Sequence, residues 1–286
     1  MDTTASISII GEVQNDRREG TMIDEKSIEN IRKYGVAVGN GERKRQILVD
    51  EVGFPIGKKA ENVIIAGCFN AEGMPHVFHA FKNLLDHFKI DYTLLNKEYC
   101  CGWMPIGQPA VIAKNEEDIA RFKELSKEFI LENFRQAKEL GAKSIVLFCG
   151  ACEPNYTNYR DLTDLDVIPF HKLIDRYFKA GKLERKIDYY AGCYRFRRRI
   201  TDKPVDVEPA VRILKKIEGL EVNYIDDKLC CNIPPHMEQI IGAIKSNSVV
   251  NICTGCYYSL KAKLAEKAGL EVKMLPEIVW EAIKGK

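Results

Sequence analysis

Ten cysteines in a chain of 286 residues are the side chains best placed to do chemistry, and they follow an order. A single Cys68 precedes the adjacent pair Cys100–Cys101, then Cys149 and Cys152 with two residues between them. The same order returns as Cys193, then Cys230–Cys231, then Cys253 and Cys256, and the two sets use every cysteine in the chain. Flanking residues repeat as well. Ala66-Gly67-Cys68-Phe69 matches Ala191-Gly192-Cys193-Tyr194, and Phe148-Cys149-Gly150-Ala151-Cys152 resembles Ile252-Cys253-Thr254-Gly255-Cys256. Self-similarity of this kind marks a duplicated unit.

Thiolates are soft ligands that select zinc, copper(I) or iron–sulfur clusters over hard cations. The two-residue gap lets both cysteines converge on one centre, although zinc ribbons and redox dithiols use it too. The adjacent pairs say more. Neighbouring side chains on an extended strand point to opposite faces, so both reach one centre only where the chain turns sharply. Gly102 gives the first pair that freedom. Zinc and ordinary cubane clusters take four protein ligands. Five cysteines per half favour an unusual cluster with a bridging thiolate, against the competing reading of four ligands and a spare thiol.

The rest of the composition restricts the setting. Forty-three basic and 41 acidic residues nearly cancel, so no strong field argues for nucleic acid as a partner. Apolar stretches such as Ser144–Cys149 and Asn62–Cys68 are far shorter than the roughly 20 residues that span a bilayer. Met1–Gly20 has no apolar core behind a basic start, so no secretory leader is expected. The expectation is a cytoplasmic protein whose reduced thiols bind metal instead of forming disulfides. Any membrane association would run through partners. No glycine-rich phosphate loop of the dinucleotide type precedes a helix, so neither flavin nor nicotinamide is expected.

The elements that must carry these cysteines follow from hydrophobic pattern. Asn62–Ala66, Asp91–Asn96 and Ser144–Phe148 read as strands, with helices over Pro75–Phe88 and Glu116–Leu140, the latter stopped by Gly141. The second half reads as strand Ile187–Tyr190, helix Pro209–Ile217, strand Glu221–Ile225, helix Pro235–Ile244 and strand Val249–Ile252. Helix Tyr257–Ala268, strand Glu271–Leu275 and helix Pro276–Ile283 complete it. Alternating strands and helices predict an α/β fold with a mainly parallel sheet in each half, the cysteines following the strand ends where such sheets place ligands. Residues 1–60 stand outside the repeat as an N-terminal extension, with a helix over Asp24–Tyr34 and a basic cluster at Arg43–Arg45; 61–185 and 186–286 are the two expected domains.

The motif Cys, Cys-Cys-Gly, Cys-x-x-Cys in tandem resembles the CCG-domain family, whose best-known member is the disulfide-cleaving subunit of heterodisulfide reductase. The resemblance covers about residues 61–270 and all ten ligand positions. It implies two tandem Rossmann-like CCG domains, each holding a noncubane 4Fe–4S cluster through five cysteines: Cys68, Cys100, Cys101, Cys149 and Cys152 in the first, Cys193, Cys230, Cys231, Cys253 and Cys256 in the second. It further implies an oxidoreductase subunit that cleaves a small disulfide, fed by a ferredoxin-like iron–sulfur subunit and a flavoprotein subunit. Two departures bear on the second set. Only 21 residues separate Cys231 from Cys253, against 47 between Cys101 and Cys149, and Asn232, Pro234 and Pro235 follow the second pair in place of glycine. Asn tolerates a left-handed turn, and a cluster of different structure, or zinc, is the alternative occupant of this set.

Other residues carry weaker signals. Four arginines within Tyr194–Arg199 suit an anionic substrate or a solvated edge. Trp103, Met104 and Pro105 suit a cluster shield or plain core packing. His76 and His79 read as surface or packing residues, whereas His236, beside the second pair, is the candidate proton donor to a leaving thiolate. Three function classes remain: a disulfide-reducing subunit, an electron-transfer or docking subunit of another redox complex (succinate or fumarate reductase type, or sulfur-oxidising), and a zinc-stabilised interaction module.

Overall fold

Two four-residue runs, Asn-Val-Ile-Ile at 62–65 and Ser-Ile-Val-Leu at 144–147, are buried at every position, as strands covered by helices on both faces must be. The computed structural model describes residues 23–37, 41–192, 200–203, 205–265 and 269–285; Cys193 and the arginines that follow it lie outside the described residues. The first part runs α1 (Glu25–Tyr34), α2 (Gly41–Arg45) with a π-helical continuation Gln46–Glu51, β1 (Asn62–Ile65), α3 (Asn70–Gly73), α4 (Pro75–His87) and β2 (Tyr92–Leu94). A π-helical turn Trp103–Gly107 then leads to α5 (Gln108–Ala113), α6 (Glu116–Glu139), β3 (Ser144–Leu147), α7 (Glu153–Tyr159), β4 (Asp166–Pro169) and α8 (Phe170–Tyr177). The second part runs β5 (Gly181–Tyr190), α9 (Glu208–Lys215), β6 (Ile217–Tyr224), α10 (Pro234–Gly242), β7 (Ser248–Asn251), α11 (Thr254–Leu264), β8 (Glu271–Met274) and α12 (Leu275–Lys284).

The strands form two four-stranded sheets, ordered β2-β1-β3-β4 and β6-β5-β7-β8, with every pairing parallel. The repeat seen in the cysteines therefore extends to topology. In each sheet the order reverses beside the first strand, which is the switch point where open α/β sheets bind ligands beyond the strand ends. Strand alternation sends Ile64, Val146 and Phe148 into a central core and Val63, Ile65, Ile145 and Leu147 onto the opposite face. That central core also takes Ile187, Tyr189 and Val250 from the second sheet, with residues of α4, α8, α9 and α12 between them. Phe148 is its hub, 4.5 Å from Phe78, 5.2 Å from Phe81 and 5.0 Å from Phe170 between ring centres.

Local chemistry explains the long α6. Asn115 caps it by accepting from the Asp118 N–H at 3.1 Å, and Glu116, Glu117 and Asp118 oppose the positive end of its dipole. Its buried face, including Ile119, Phe122, Phe129, Ile130 and Phe134, covers the outer face of the first sheet. In the second half α10 alone fills the corresponding connection, as its shorter length requires. Among the described residues no helix is long and apolar enough to cross a membrane.

The structure adds β4, α7 and α8 to the elements read from sequence, and it starts β5 at Gly181 and β6 at Ile217, earlier than the apolar pattern indicated. The extended β5–β6 pairing contains a register shift between Lys182 and Arg185, which breaks the alternation that would betray a strand.

Asp188, fully buried on β5, ties the second sheet to the turn before β7. It accepts from Asn223 Nδ2 at 2.5 Å, from the N–H groups of Lys245 and Ser246 at 3.0 and 2.7 Å, and from Ser246 Oγ at 2.6 Å. Burial alone would raise this carboxyl, but the donors from Ser246, Asn223 and the backbone hold it below its ordinary value. A depressed folded pKa stabilises the fold above the unfolded value, near 4, and that stability is lost as pH falls through the folded value. Asp188→Ala is expected to cost on the order of 3 kcal/mol at neutral pH. Thermal midpoints of both proteins should converge as pH is lowered below about 4; a gap that stays constant with pH would refute the ionised role.

Candidate metal centre

Three strands of the first half lead to its cysteines. β1 delivers Cys68, the chain after β2 delivers Cys100 and Cys101, and β3 delivers Cys149 with Cys152 at the start of α7. Their thiols make one continuous string. Cys68 Sγ lies 3.2 Å from Cys100 Sγ, Cys100 and Cys101 share a hydrogen bond, Cys101 Sγ lies 3.4 Å from Cys152 Sγ, and Cys152 contacts Cys149. No described cysteine is in a disulfide, and in this set only Cys68 reaches partial exposure.

Gly67 makes the convergence possible. It has φ +86°, and a Cβ there would sit 2.7 Å from the Cys149 Cβ and 3.1 Å from its Sγ, so only a residue without a side chain lets the β1 and β3 ends approach. Gly102 takes φ +76° directly after the pair, the sharp turn that two adjacent ligands need, and its N–H donates to Cys100 Sγ at 3.4 Å.

Polar side chains around the cysteines fix the loops. Buried Asn133 of α6 accepts from the Tyr99 N–H at 2.8 Å and donates to the Tyr99 carbonyl at 2.7 Å and the Tyr156 hydroxyl at 2.6 Å, clamping the chain just before Cys100. Glu98 accepts from the N–H groups of Ala66 and Gly67, both at 2.8 Å, and pairs with buried Lys44 at 2.8 Å. The Gly35 carbonyl accepts from the Cys100 N–H at 2.8 Å. Gly35 and Lys44 both precede β1, so described residues ahead of the first sheet reach the first set. Asn155 of α7 donates to Cys101 Sγ at 3.8 Å.

Proton affinities differ along the string, with Cys100 and Cys149 lowered and the other three raised. Hydrogen bonds from Cys101 and Cys68 hold Cys100 well below a free thiol, helped by the Gly102 N–H and the Lys44 charge. The Cys152 thiol brings Cys149 down to about 7 against burial, with the N–H groups of Cys152 and Ala151 and the Thr254 hydroxyl assisting. Cys68, Cys101 and Cys152 are raised, each first by the hydrogen bond to a neighbouring thiol and then by burial or a second thiol. Five sulfur donors, mostly buried, suit a thiophilic metal or an iron–sulfur cluster and not a hard cation.

Residues 63–155 match the CCG family, the cysteine-rich domain. The matched segment contains all five cysteines of the first set and ends before the second sheet begins. No curated protein matches the chain. A cysteine-rich domain with thiols in contact is compatible with a metal or iron–sulfur cofactor and points to redox chemistry.

The second sheet repeats the cysteine-rich arrangement in part. Cys231 Sγ lies 3.4 Å from Cys256 Sγ, the counterpart of the Cys101–Cys152 contact, and the Cys256 thiol donates to Cys253, pulling it down against burial. Cys230 is buried, while Cys193 lies outside the described residues. Asn232 does not take the left-handed conformation: the only described non-glycine residues with positive φ are Lys89 and Lys114. Instead the Ile233 N–H closes a turn on the Cys230 carbonyl at 3.0 Å, and Pro234 and Pro235 open α10. Where Asn133 clamps the first pair, the Tyr190 hydroxyl donates to the Leu229 carbonyl at 2.5 Å.

His236 Nδ1 accepts from the Cys230 N–H at 3.1 Å, so the neutral ring carries its proton on Nε2. His76 is half exposed and lies 3.2 Å from the Tyr257 hydroxyl. Trp103 is buried edge-on against Phe122, whereas Met104 is 44% exposed.

The two sets meet. Thr254 Oγ1 donates to Cys149 Sγ at 3.8 Å, and a Cβ on Gly150 would lie 3.1 Å from Cys253 Sγ. Sequence reasoning saw both Cys-x-x-Cys loops but not their contact, nor Lys44, Glu98 and Asn133, because each acts on a partner distant in the chain.

Gly67→Ala should prevent the first set from binding metal while the second set keeps its own, as read by metal content per chain and by the number of thiols reactive after unfolding. Asn133→Leu should weaken metal retention under chelator challenge with α6 still folded by circular dichroism. Unchanged retention in both variants would show that loop geometry does not set the site.

Proposed function

We propose that this chain is an iron–sulfur subunit of a heterodisulfide-reductase-like complex. In this reading Cys68, Cys100, Cys101, Cys149 and Cys152 hold a noncubane 4Fe–4S cluster, and Cys193, Cys230, Cys231, Cys253 and Cys256 hold a second centre. The observation that carries it is the unbroken string of five thiols within the segment that matches the cysteine-rich domain. A bound cluster supplies or accepts single electrons. Reducing a disulfide to two thiols takes two electrons and two protons, and two adjoining sets, joined through Thr254 and Cys149, suit a reaction that needs both electrons at one place.

The chain's own residues supply the rest. The loop around Cys68 reaches the surface with Phe69, 36% exposed, which gives a small disulfide an approach to the first set. His236, its proton on Nε2, is the candidate donor to a departing thiolate at the second. Electrons would come from a ferredoxin-like iron–sulfur subunit and a flavoprotein subunit. The burial of the other four cysteines of the first set favours a second reading, an electron-transfer or docking subunit of another redox complex.

Protein prepared without oxygen should contain iron and acid-labile sulfide and give a paramagnetic signal that either Cys100→Ser or Cys101→Ser removes. A colourless preparation holding only zinc would sink the cluster reading in favour of an interaction module. Turnover of small disulfides with an artificial reductant, lost in the same variants, separates the enzyme from the electron carrier. A loaded protein that turns over none, even with its partner subunits present, would leave the carrier.

A further inference from the structure

The two halves differ at one buried position beside the cysteines. β3 ends in Leu147 before Phe148-Cys149, and β7 ends in Asn251 before Ile252-Cys253, so the repeat pairs an apolar residue with an amide. Leu147 packs in the same cluster as Cys101, Cys149 and Cys152. Val249, two residues before Asn251 and so on the same face of its strand, packs with Cys231 and Cys256, while Val250 between them enters the central core. Asn251 also pairs in register with Tyr190, whose hydroxyl holds the Leu229 carbonyl next to Cys230.

Asn251 is 0% exposed, and among the described residues neither its amide nitrogen nor its amide oxygen has a hydrogen-bond partner. Both ends of a buried amide left without partners are costly in a folded protein, and such a group calls for a bound species to satisfy it. A leucine would fill the same volume at no such cost, as the first half shows. The amide is therefore explained by a ligand on the cysteine face of the second sheet. Sulfur is the acceptor chemistry that the neighbouring residues imply.

Resting on the cluster reading above, we propose that Asn251 is a specificity device of the second set: its side-chain N–H donates a hydrogen bond to a sulfur of the cluster held there, where the first set has Leu147. A hydrogen bond to sulfur stabilises the more negative, reduced form and raises the reduction potential. The amide thus makes the two centres unequal, with the second the stronger electron acceptor for its own ligand set.

The test is an anaerobic redox titration of full-length Asn251→Leu followed by paramagnetic resonance, with the two signals assigned by Cys101→Ser, which removes the first. The reduced-to-oxidised ratio of the second centre, read at the wild-type midpoint, is expected to fall roughly tenfold, equivalent to about 59 mV for a one-electron couple. The first signal should not move, and Asn251→Thr, with a shorter donor, should give an intermediate midpoint. An iron-loaded Asn251→Leu protein with both midpoints unchanged overturns this inference alone. A wild-type chain without iron and sulfide removes the cluster reading beneath it, and zinc in the second set overturns the inference too. Should Asn251→Leu not retain the second centre, the metal-free chains decide. A thermal midpoint above that of metal-free wild type supports an amide waiting for a ligand, and one below it shows an amide that merely holds the fold.

Discussion

Neighbouring thiols buried at 3.2 to 3.4 Å from one another can lose their protons together only if a positive centre takes up the charge. Without one, the first set keeps Cys100 and Cys149 as its acidic sulfurs and leaves Cys68, Cys101 and Cys152 reluctant, each thiolate held by the thiol beside it. The surrounding structure is organised around this constraint. Backbone N–H groups, the Asn155 amide and the Thr254 hydroxyl all point donors at sulfur, while Lys44 brings a buried cation from outside the repeat. Lys44 is itself buried only because Glu98 neutralises it, and the same carboxylate fixes the turn that leads to Cys68. One ion pair therefore connects the extension, the β1 loop and the cysteine pair.

Parallel strands are what bring such sulfurs together. Their carboxyl ends lie at one edge of the sheet, so loops far apart in the chain converge there, and the reversal of strand order opens a space between them. The repeat order of both sheets gives each half the same edge, and the contact between Cys149 and Thr254 turns two edges into one region.

Much of this was legible in the amino-acid sequence because it is local. Buried strands such as Asn62–Ile65 and Ser144–Leu147 announce themselves by continuous apolar residues, and the cysteines fall directly after them. The long helix after Asn115 was equally plain from its periodicity and the glycine that stops it. What escaped was short or non-local. β4 has four residues, ends in proline and carries mixed burial, so no pattern distinguishes it from a loop. Lys44 sits in a run of basic residues that reads as a solvated face, and only Glu98, distant in sequence, reveals that it is buried. Asn133 lies within a helix whose polar residues mostly face water, and its hold on Tyr99 depends on tertiary packing. Asn251 was invisible for the opposite reason: a lone asparagine at a strand end looks like a turn residue until its burial is known.

The layer of α4, α8, α9 and α12 between the sheets serves both halves at once, since Phe148, Ile187 and Val250 share one core. A change of helix length there would push the two sheets apart and part the loops at their shared edge. The outer faces carry no such penalty, and that is where the halves have diverged in size, with 24-residue α6 on one and nine-residue α10 on the other. The molecule is constrained where one helix layer serves two sheets and free to grow where a helix covers only one.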